Sequence, residues 1–214
     1  PIQVPNNMLF HMRAKAVGTV LVRDGHIDKL NTKTDSTFAA LVYPYWHPSE
    51  RYVAASVNNT VQNFFYHHPN TLEVYDTQSD VVVMDVEKNE IFSNDVLKQD
   101  SVWECFPTFS PDGKSLYYLS APARVMPAEY KELKYSLCRI DFDPDTRKLG
   151  TQVDTIFHAA QTGKSASFPR ISPDGKLLVI SLQDYGYFSA WYKDSELYAY
   201  RMSDGAWYPL AEAN

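Results

Sequence analysis

Three copies of one proline-anchored hairpin lie at nearly equal spacing, and two further strand signals follow each copy. This pattern predicts an all-β chain, a β-propeller of four-stranded antiparallel blades. The copies are PYWHPSERYVAAS from Pro44, PTFSPDGKSLYYLS from Pro107 and PRISPDGKLLVIS from Pro169, starting 63 and 62 residues apart. Each carries a second proline four residues on, at Pro48, Pro111 and Pro173. Composition agrees: aromatic residues reach 14% and Pro outnumbers Gly by 13 to 8, a mix that favours strands and turns over helices.

The chemistry of each copy is that of a hairpin. A short strand, centred on Trp46, Phe109 or Ile171, runs into the turn. Pro presets φ, Asp bonds its own backbone and Gly113 or Gly175 supplies a positive φ. The first copy is degenerate, with Ser49-Glu50 in place of Asp-Gly. In the last copy the return strand, LLVISL, is apolar almost throughout, which predicts a central strand buried on both faces.

Two outer strands follow each hairpin. They are VVVMDV and IFSN around the turn EKNE, YSLCRIDF and VDTIFHA around DPDTRKLG, and ELYAYRM and AWYPL around SDG. Upstream, RAKAVGTVLV and HIDKLNT around RDG read as the last two strands of an earlier unit. No helical period stands out, although PAEYKELKY at 127–135 allows one or two turns. The reading is a single propeller region over 1–214, with a half blade at 10–40 and blades at about 41–98, 101–160 and 163–214. Closed propellers carry roughly four to eight blades. Three and a half blades therefore predict a part of a larger, six- to eight-bladed propeller. A second copy, or the remainder of its own polypeptide, would complete the ring.

The S-P-D-G-K turn with its apolar strand, followed by an LY-type strand and a D/G turn, resembles the TolB-like propeller repeats, relatives of the WD repeats, over about residues 43–210. The resemblance implies a bacterial cell-envelope or periplasmic setting. It is specific for fold and nearly silent on activity. Similar repeats gate prolyl-oligopeptidase-like peptidases. They also occur in oligogalacturonate lyases, which place a metal among histidines on the propeller axis.

A net charge of −6 argues against general nucleic-acid binding, which needs clustered Lys and Arg. No apolar run approaches the roughly 20 residues of a membrane-spanning helix. The opening PIQVPNNMLF has neither an initiator Met nor a signal-peptide pattern, as expected of a processed chain or an excised piece. Cys105 and Cys138 form no framework and lack CxxC partners, so they read as two buried, unlinked thiols.

If each blade runs from innermost to outermost strand, the SPDG turns share one rim and the long loops share the other. Those loops are NNTVQNFFYHHPNTLEVYDTQSD, APARVMPAEYKELK and QDYGYFSAWYKDS. Long loops on a rigid scaffold are where function usually sits. The candidate ligand-binding residues are Phe65, Tyr66, His67, His68, Trp103, Arg124, Tyr130, Tyr187 and Trp191. An aromatic rim of this kind suits a peptide, a sugar ring or a protein hot spot, unless the rings simply pack on one another.

No metal or cofactor is expected. His67 and His68 are adjacent and would point to opposite sides of a strand. DFDPDTRKLGTQ at 141–152 mimics a calcium loop but has Thr146 where the Gly belongs and Gln152 where the Glu belongs. QTGKSAS has the Gly-Lys-Ser end of a P-loop, but a strand follows it, not a helix. There is no G-x-S-x-G elbow and no H-E-x-x-H. The leading expectation is therefore a non-catalytic binding or scaffold module with a protein or glycan partner. The alternative is the propeller part of an enzyme, either a prolyl-oligopeptidase-like peptidase or a metal-dependent lyase.

Overall fold

The computed structural model describes the backbone of residues 7–13, 16–23, 26–30, 41–58, 63–68, 71–188 and 192–214, with side chains over 41–58, 74–188 and 192–214. It is nearly all β. The first sheet holds β1 (Asn7–Arg13), β2 (Ala16–Arg23) and β3 (His26–Leu30), in that order. The upstream unit thus has three strands where the sequence suggested two, because NMLFHMR pairs in register with AVGTVLVR.

Three antiparallel blades follow. The first is β4 (Val42–Trp46), β5 (Tyr52–Asn58), β8 (Ser79–Asp85) and β9 (Glu90–Phe92). Between β5 and β8 the chain makes an extra hairpin, β6 (Asn63–His68) with β7 (Thr71–Tyr75), in a stretch read from sequence as loop. The second blade is β10 (Val102–Phe109), β11 (Ser115–Pro122), β12 (Ser136–Asp143) and β14 (Asp154–Phe157), with the two-residue β13 (Lys148–Leu149) extending the outer hairpin. The third is β15 (Ser165–Ile171), β16 (Leu177–Gln183), β17 (Glu196–Arg201) and β18 (Ala206–Pro209). A single helical turn, α1 (Ala159–Thr162), links the second and third blades, and a 3-10 turn at Tyr130–Glu132 lies within the segment that allowed one.

The SPDG turns close as the sequence requires. Gly113 and Gly175 sit at φ 71° and 70°, and Asp112 and Asp174 accept from the backbone N–H of Lys114 and Lys176. In the degenerate copy Glu50 takes the same left-handed conformation, at φ 61°. Its neighbour His47 replaces the serine of the other copies (Ser110, Ser172) and reaches across to the second blade, placing Nε2 2.9 Å from the Gly113 carbonyl.

The cores lie between blades, as strand alternation demands. Tyr52, Ala54, Val81 and Val83 of the first blade meet Leu116, Tyr118, Cys138 and Ile140 of the second. On the opposite face of the second blade, Cys105, Tyr117, Leu119 and Leu137 meet Ala166, Leu178, Ile180 and Leu182 of the third. Cys105 and Cys138 are therefore both buried, free and on opposite faces. Polar contacts tie the first seam at the SPDG rim. Asp85, its side chain fully buried, receives Arg51 at 2.8 Å and Arg147 of the second blade at 3.2 Å. The outward face of the third blade leaves Leu177 and Tyr208 about 40% exposed, so its apolar strand is covered more fully on one side than on the other.

Candidate functional site

Each innermost strand is broken by a β-bulge at the same place. Register shifts fall between Val42 and Tyr45, Cys105 and Thr108, and Ser167 and Arg170. The residue at each bulge is an aromatic ring followed by proline, and all three hold a left-handed backbone: Tyr43 at φ 52°, Phe106 at 50° and Phe168 at 50°. Positive φ is costly for a bulky residue, of order 1–3 kcal/mol, and persists where the surroundings impose it. The bulge re-aims the three rings toward one another. Tyr43 and Phe106 stack with centroids 4.0 Å apart, and Phe168 meets Phe106 edge-on at 4.7 Å.

Two residues further on, the equivalent positions Tyr45, Thr108 and Arg170 form a second layer. Thr108 donates to the Pro169 carbonyl at 3.0 Å. The Arg170 guanidinium lies 5.5 Å from the centre of the Tyr45 ring. That contact joins the first blade to the third although the second lies between them. It is possible only where the innermost strands converge, at the propeller axis. Tyr187, from the loop after β16, also crosses this way, 6.3 Å from Tyr43 and 5.4 Å from Phe106.

The long-loop rim carries a chain of tyrosines. Tyr75, Tyr130, Tyr185 and Tyr192 follow one another at 6.5, 5.4 and 4.9 Å. Two loops are stitched together where the Gly186 N–H donates to the Leu133 carbonyl at 2.7 Å. Of the residues singled out from sequence, Tyr130 is half-buried in this chain. Arg124 is half-buried beside it, its Nε–H donating to the Glu132 carbonyl at 3.4 Å. Tyr187 is fully buried and packs on Tyr135 and the axial rings, so it is a wall of the core rather than an exposed rim residue. Trp103 is likewise buried, because β10 starts at Val102 and pairs Trp103 with Ala121 inside the sheet. Phe65, Tyr66, His67 and His68 lie on β6, whose backbone alone is described, and Trp191 lies outside the described residues. The rings described thus pack mainly on one another. Sequence reasoning missed the axial layer of Tyr43, Phe106 and Phe168. Its signal was an aromatic residue before the first proline of every copy.

One buried acid breaks the apolar pattern. Glu104 stands where the other blades carry Leu41 and Ala166, is fully buried and has neither carboxylate oxygen hydrogen-bonded. Burial, and then the nearby Asp80, push its pKa from 4.5 up to about 9, so it is a neutral acid at pH 7. At the SPDG end of the same seam, burial lowers the pKa of His47. Its Nδ1 accepts from the Ser49 N–H at 3.0 Å, which leaves the proton on Nε2 for the Gly113 carbonyl.

The calcium-like loop is a hairpin turn. Asp143 accepts from the N–H groups of Asp145 and Thr146, and Asp141 pairs with Arg139. The Gly-Lys-Ser stretch closes α1 and opens β15. Among the described residues no three His, Cys, Asp or Glu side chains gather as a metal site. His47 is wedged at the SPDG rim and His158 is exposed beside α1, so these two do not come together on the axis.

No family model and no curated protein matches the sequence. Solved structures do. Over 95% of its length the chain resembles a puromycin-hydrolysing peptidase of Mycobacterium tuberculosis, at 12% identity and a TM-score of 0.52, spanning 30% of that protein. It also resembles one of two prolyl endopeptidases, at 14% identity over 94% of the chain, 28% of that protein and a TM-score of 0.47. A periplasmic gluconolactonase of Pseudomonas aeruginosa follows, at 13% identity over 95% of the chain, 55% of that protein and a TM-score of 0.49. The chain thus spans well under two thirds of each of these proteins, and the first likeness shows the fold, a β-propeller. The peptidase that shares it is an enzyme. That overturns the expectation of a non-catalytic scaffold offering an aromatic rim to a protein or glycan.

Proposed function

We propose that the chain is the propeller part of an enzyme of the prolyl-oligopeptidase-like kind, built from TolB-like repeats, in which the blades admit and hold a peptide while the bond is cut elsewhere in the protein. The observation that carries the reading is the axial layer. Three blades each spend an unfavourable backbone conformation to bring an aromatic ring to the axis. Aromatic faces suit proline rings and apolar side chains, which lose little entropy on docking. The metal-dependent lyase reading is supported less, since it calls for axial histidines and the described residues at the axis are Tyr43, Tyr45, Phe106, Thr108, Phe168 and Arg170. A bacterial cell-envelope setting is part of the same proposal and rests on the repeat resemblance.

The test is the complete gene product. Its coding sequence should contain an α/β-hydrolase segment, and the folded protein should be labelled by a fluorophosphonate and cleave short proline-containing peptides. Folded full-length protein that neither labels nor cleaves overturns the proposal. So does a stoichiometric transition metal that is lost on His67→Ala and His68→Ala, which would establish the lyase reading instead.

A further inference from the structure

Between the second and third blades, at the outer end of the long-loop rim, lies a cleft of about 380 Å³. Ile156 and Phe157 of β14 form one wall, and Leu182 of β16, Tyr198 of β17 and Trp207 of β18 form the other. All five belong to, or pack against, the core that these two blades share. Both walls are complete blades, so a further blade on the outward face of the third would leave the cleft open. The first seam is filled at the matching linker, which inserts Leu97, fully buried, into the cluster of Val81, Tyr118 and Cys138. The linker of the second seam offers α1 instead, which buries Ala159 and leaves Gln161 and Thr162 exposed at the cleft.

The volume is within the range of small-ligand sites, about 300–1,000 Å³, and apolar walls with a few polar groups are their usual make-up. The Trp207 ring is fixed by its neighbours, 5.8 Å from Phe157 and 4.8 Å from Tyr200. Its indole N–H makes no hydrogen bond among the described residues and is not sealed from solvent, and the Gln161 amide is likewise unpaired. The charges argue against an ionic ligand. Lys164, at the edge of the cleft, lies 2.7 Å from Asp184, and Glu196 and Asp194 help to hold its proton. An anion would meet an ammonium already paired, and a cation would be repelled by it. The lining therefore suits a neutral ligand, with a ring for the aromatic wall and an acceptor for the donors. A proline-containing stretch has both. Its pyrrolidine rings pack on Trp and Tyr faces, its carbonyls accept hydrogen bonds, and its extended helix is ordered before it docks.

We propose that this cleft is an exosite that holds a proline-containing stretch of the peptide substrate, apart from the axial rings. A pyrrolidine ring lies against Tyr198 and Trp207, and a peptide carbonyl accepts from the Trp207 N–H and the Gln161 amide. The inference rests on the peptidase reading for its purpose, whereas the proline site itself stands on the cleft.

Fluorine NMR of the full-length protein labelled with 5-fluorotryptophan tests it, the Trp207 signal being the one lost in Trp207→Leu. N-acetyl-triproline amide should shift that signal, and N-acetyl-triglycine amide should not. Gln161→Ala, a change at an exposed residue, should weaken the midpoint about fivefold, the worth of one neutral hydrogen bond. The free acid of the triproline peptide should bind no more tightly than the amide. A Trp207 signal that ignores the triproline peptide overturns the site. Tighter binding of the acid, or of N-acetylphenylalaninamide, overturns the ligand class. The triproline peptide should also compete with hydrolysis of long proline-containing peptides and spare short ones. Competition with neither would place the stretch outside the substrate and overturn the exosite. Fluorophosphonate labelling of the same samples keeps the two claims separate. Labelling without a Trp207 shift leaves the enzyme and removes this inference, and the reverse outcome removes the enzyme alone.

Discussion

Gly113 and Gly175 occupy equivalent turns with nearly equal φ, yet the structure assigns them very different tolerance to a side chain. A Cβ on Gly175 meets nothing within 4 Å. Gly175→Ala therefore carries only the left-handed penalty for a non-glycine residue, about 1 kcal/mol. A Cβ on Gly113 would lie 2.3 Å from His47 Nε2 and 2.6 Å from its Cε1. The imidazole has little room to retreat. Tyr52, Phe109 and Phe142 surround it edge-on at 4.9–5.5 Å, and both ring nitrogens are engaged. Displacing it adds the loss of a buried hydrogen bond, roughly 1 kcal/mol, and overpacking strain of roughly 1–3 kcal/mol. Gly113→Ala should therefore cost about 3–5 kcal/mol, and its melting temperature should fall several degrees further than that of Gly175→Ala. Urea titration of both variants measures the difference. His47→Ser, which installs the residue found in the other two copies, should give back about 1–2 kcal/mol in the Gly113→Ala background and nothing in the Gly175→Ala background. Equal midpoints for the two alanine variants, or no coupling to position 47, would refute the account of the first seam.

Glu50→Gly should stabilise the protein by about 1 kcal/mol in a thermal melt, because it relieves the left-handed conformation that Glu50 now holds. Glu104 and His47 should give a bell-shaped stability profile. The raised Glu104 pKa contributes fully below pH 4.5 and is lost as pH climbs through about 9. The lowered His47 pKa contributes above 6.5 and is lost as pH falls through its folded value. Denaturant titrations from pH 4 to pH 9 should show Glu104→Gln flattening the alkaline limb alone, and an unchanged limb would remove Glu104 from the account. Both cysteines should resist iodoacetamide in the native state, since burial pushes the Cys105 and Cys138 thiols upward, the latter to about 11, and two thiols should be counted after denaturation. The outward face of the third blade should drive association of the isolated chain in light scattering, with Val179→Lys and Leu197→Lys together restoring a monomer. A parent chain that stays monomeric at high concentration would argue against that face being sticky.

The parts of this structure that could be read from sequence are those fixed by local chemistry. Pro-Asp-Gly imposes its turn wherever it occurs, and LLVISL can be little other than a strand. The bulges were hidden because an aromatic residue before proline suggests extended backbone, not a left-handed one. Only the meeting of three blades on the axis makes that conformation worth holding, and no single window of sequence contains that meeting. The proline anchors also misled by a few residues. They placed Trp46, Phe109 and Ile171 at strand centres, whereas the bulge lets each strand begin earlier and these residues end it. The β6–β7 hairpin was legible in principle, since NFFYHH and TLEVY flank a two-residue Pro-Asn turn signal. A four-residue helix such as α1 is too short to show any period.

The most direct test of the central claim is hydrolysis of a length series of proline-containing peptides by the complete gene product, before and after Phe106→Leu. Phe106 is buried beneath the half-buried rings of Tyr43 and Phe168 and touches both, so the smaller Leu loosens the layer that supports them. If the axis holds the peptide, kcat/KM should fall about tenfold or more for the peptides the parent cleaves best, while fluorophosphonate labelling stays at the parental rate. Unchanged kcat/KM at every length, in a protein that still folds and labels, would contradict the assignment of the axial rings as the substrate-holding surface.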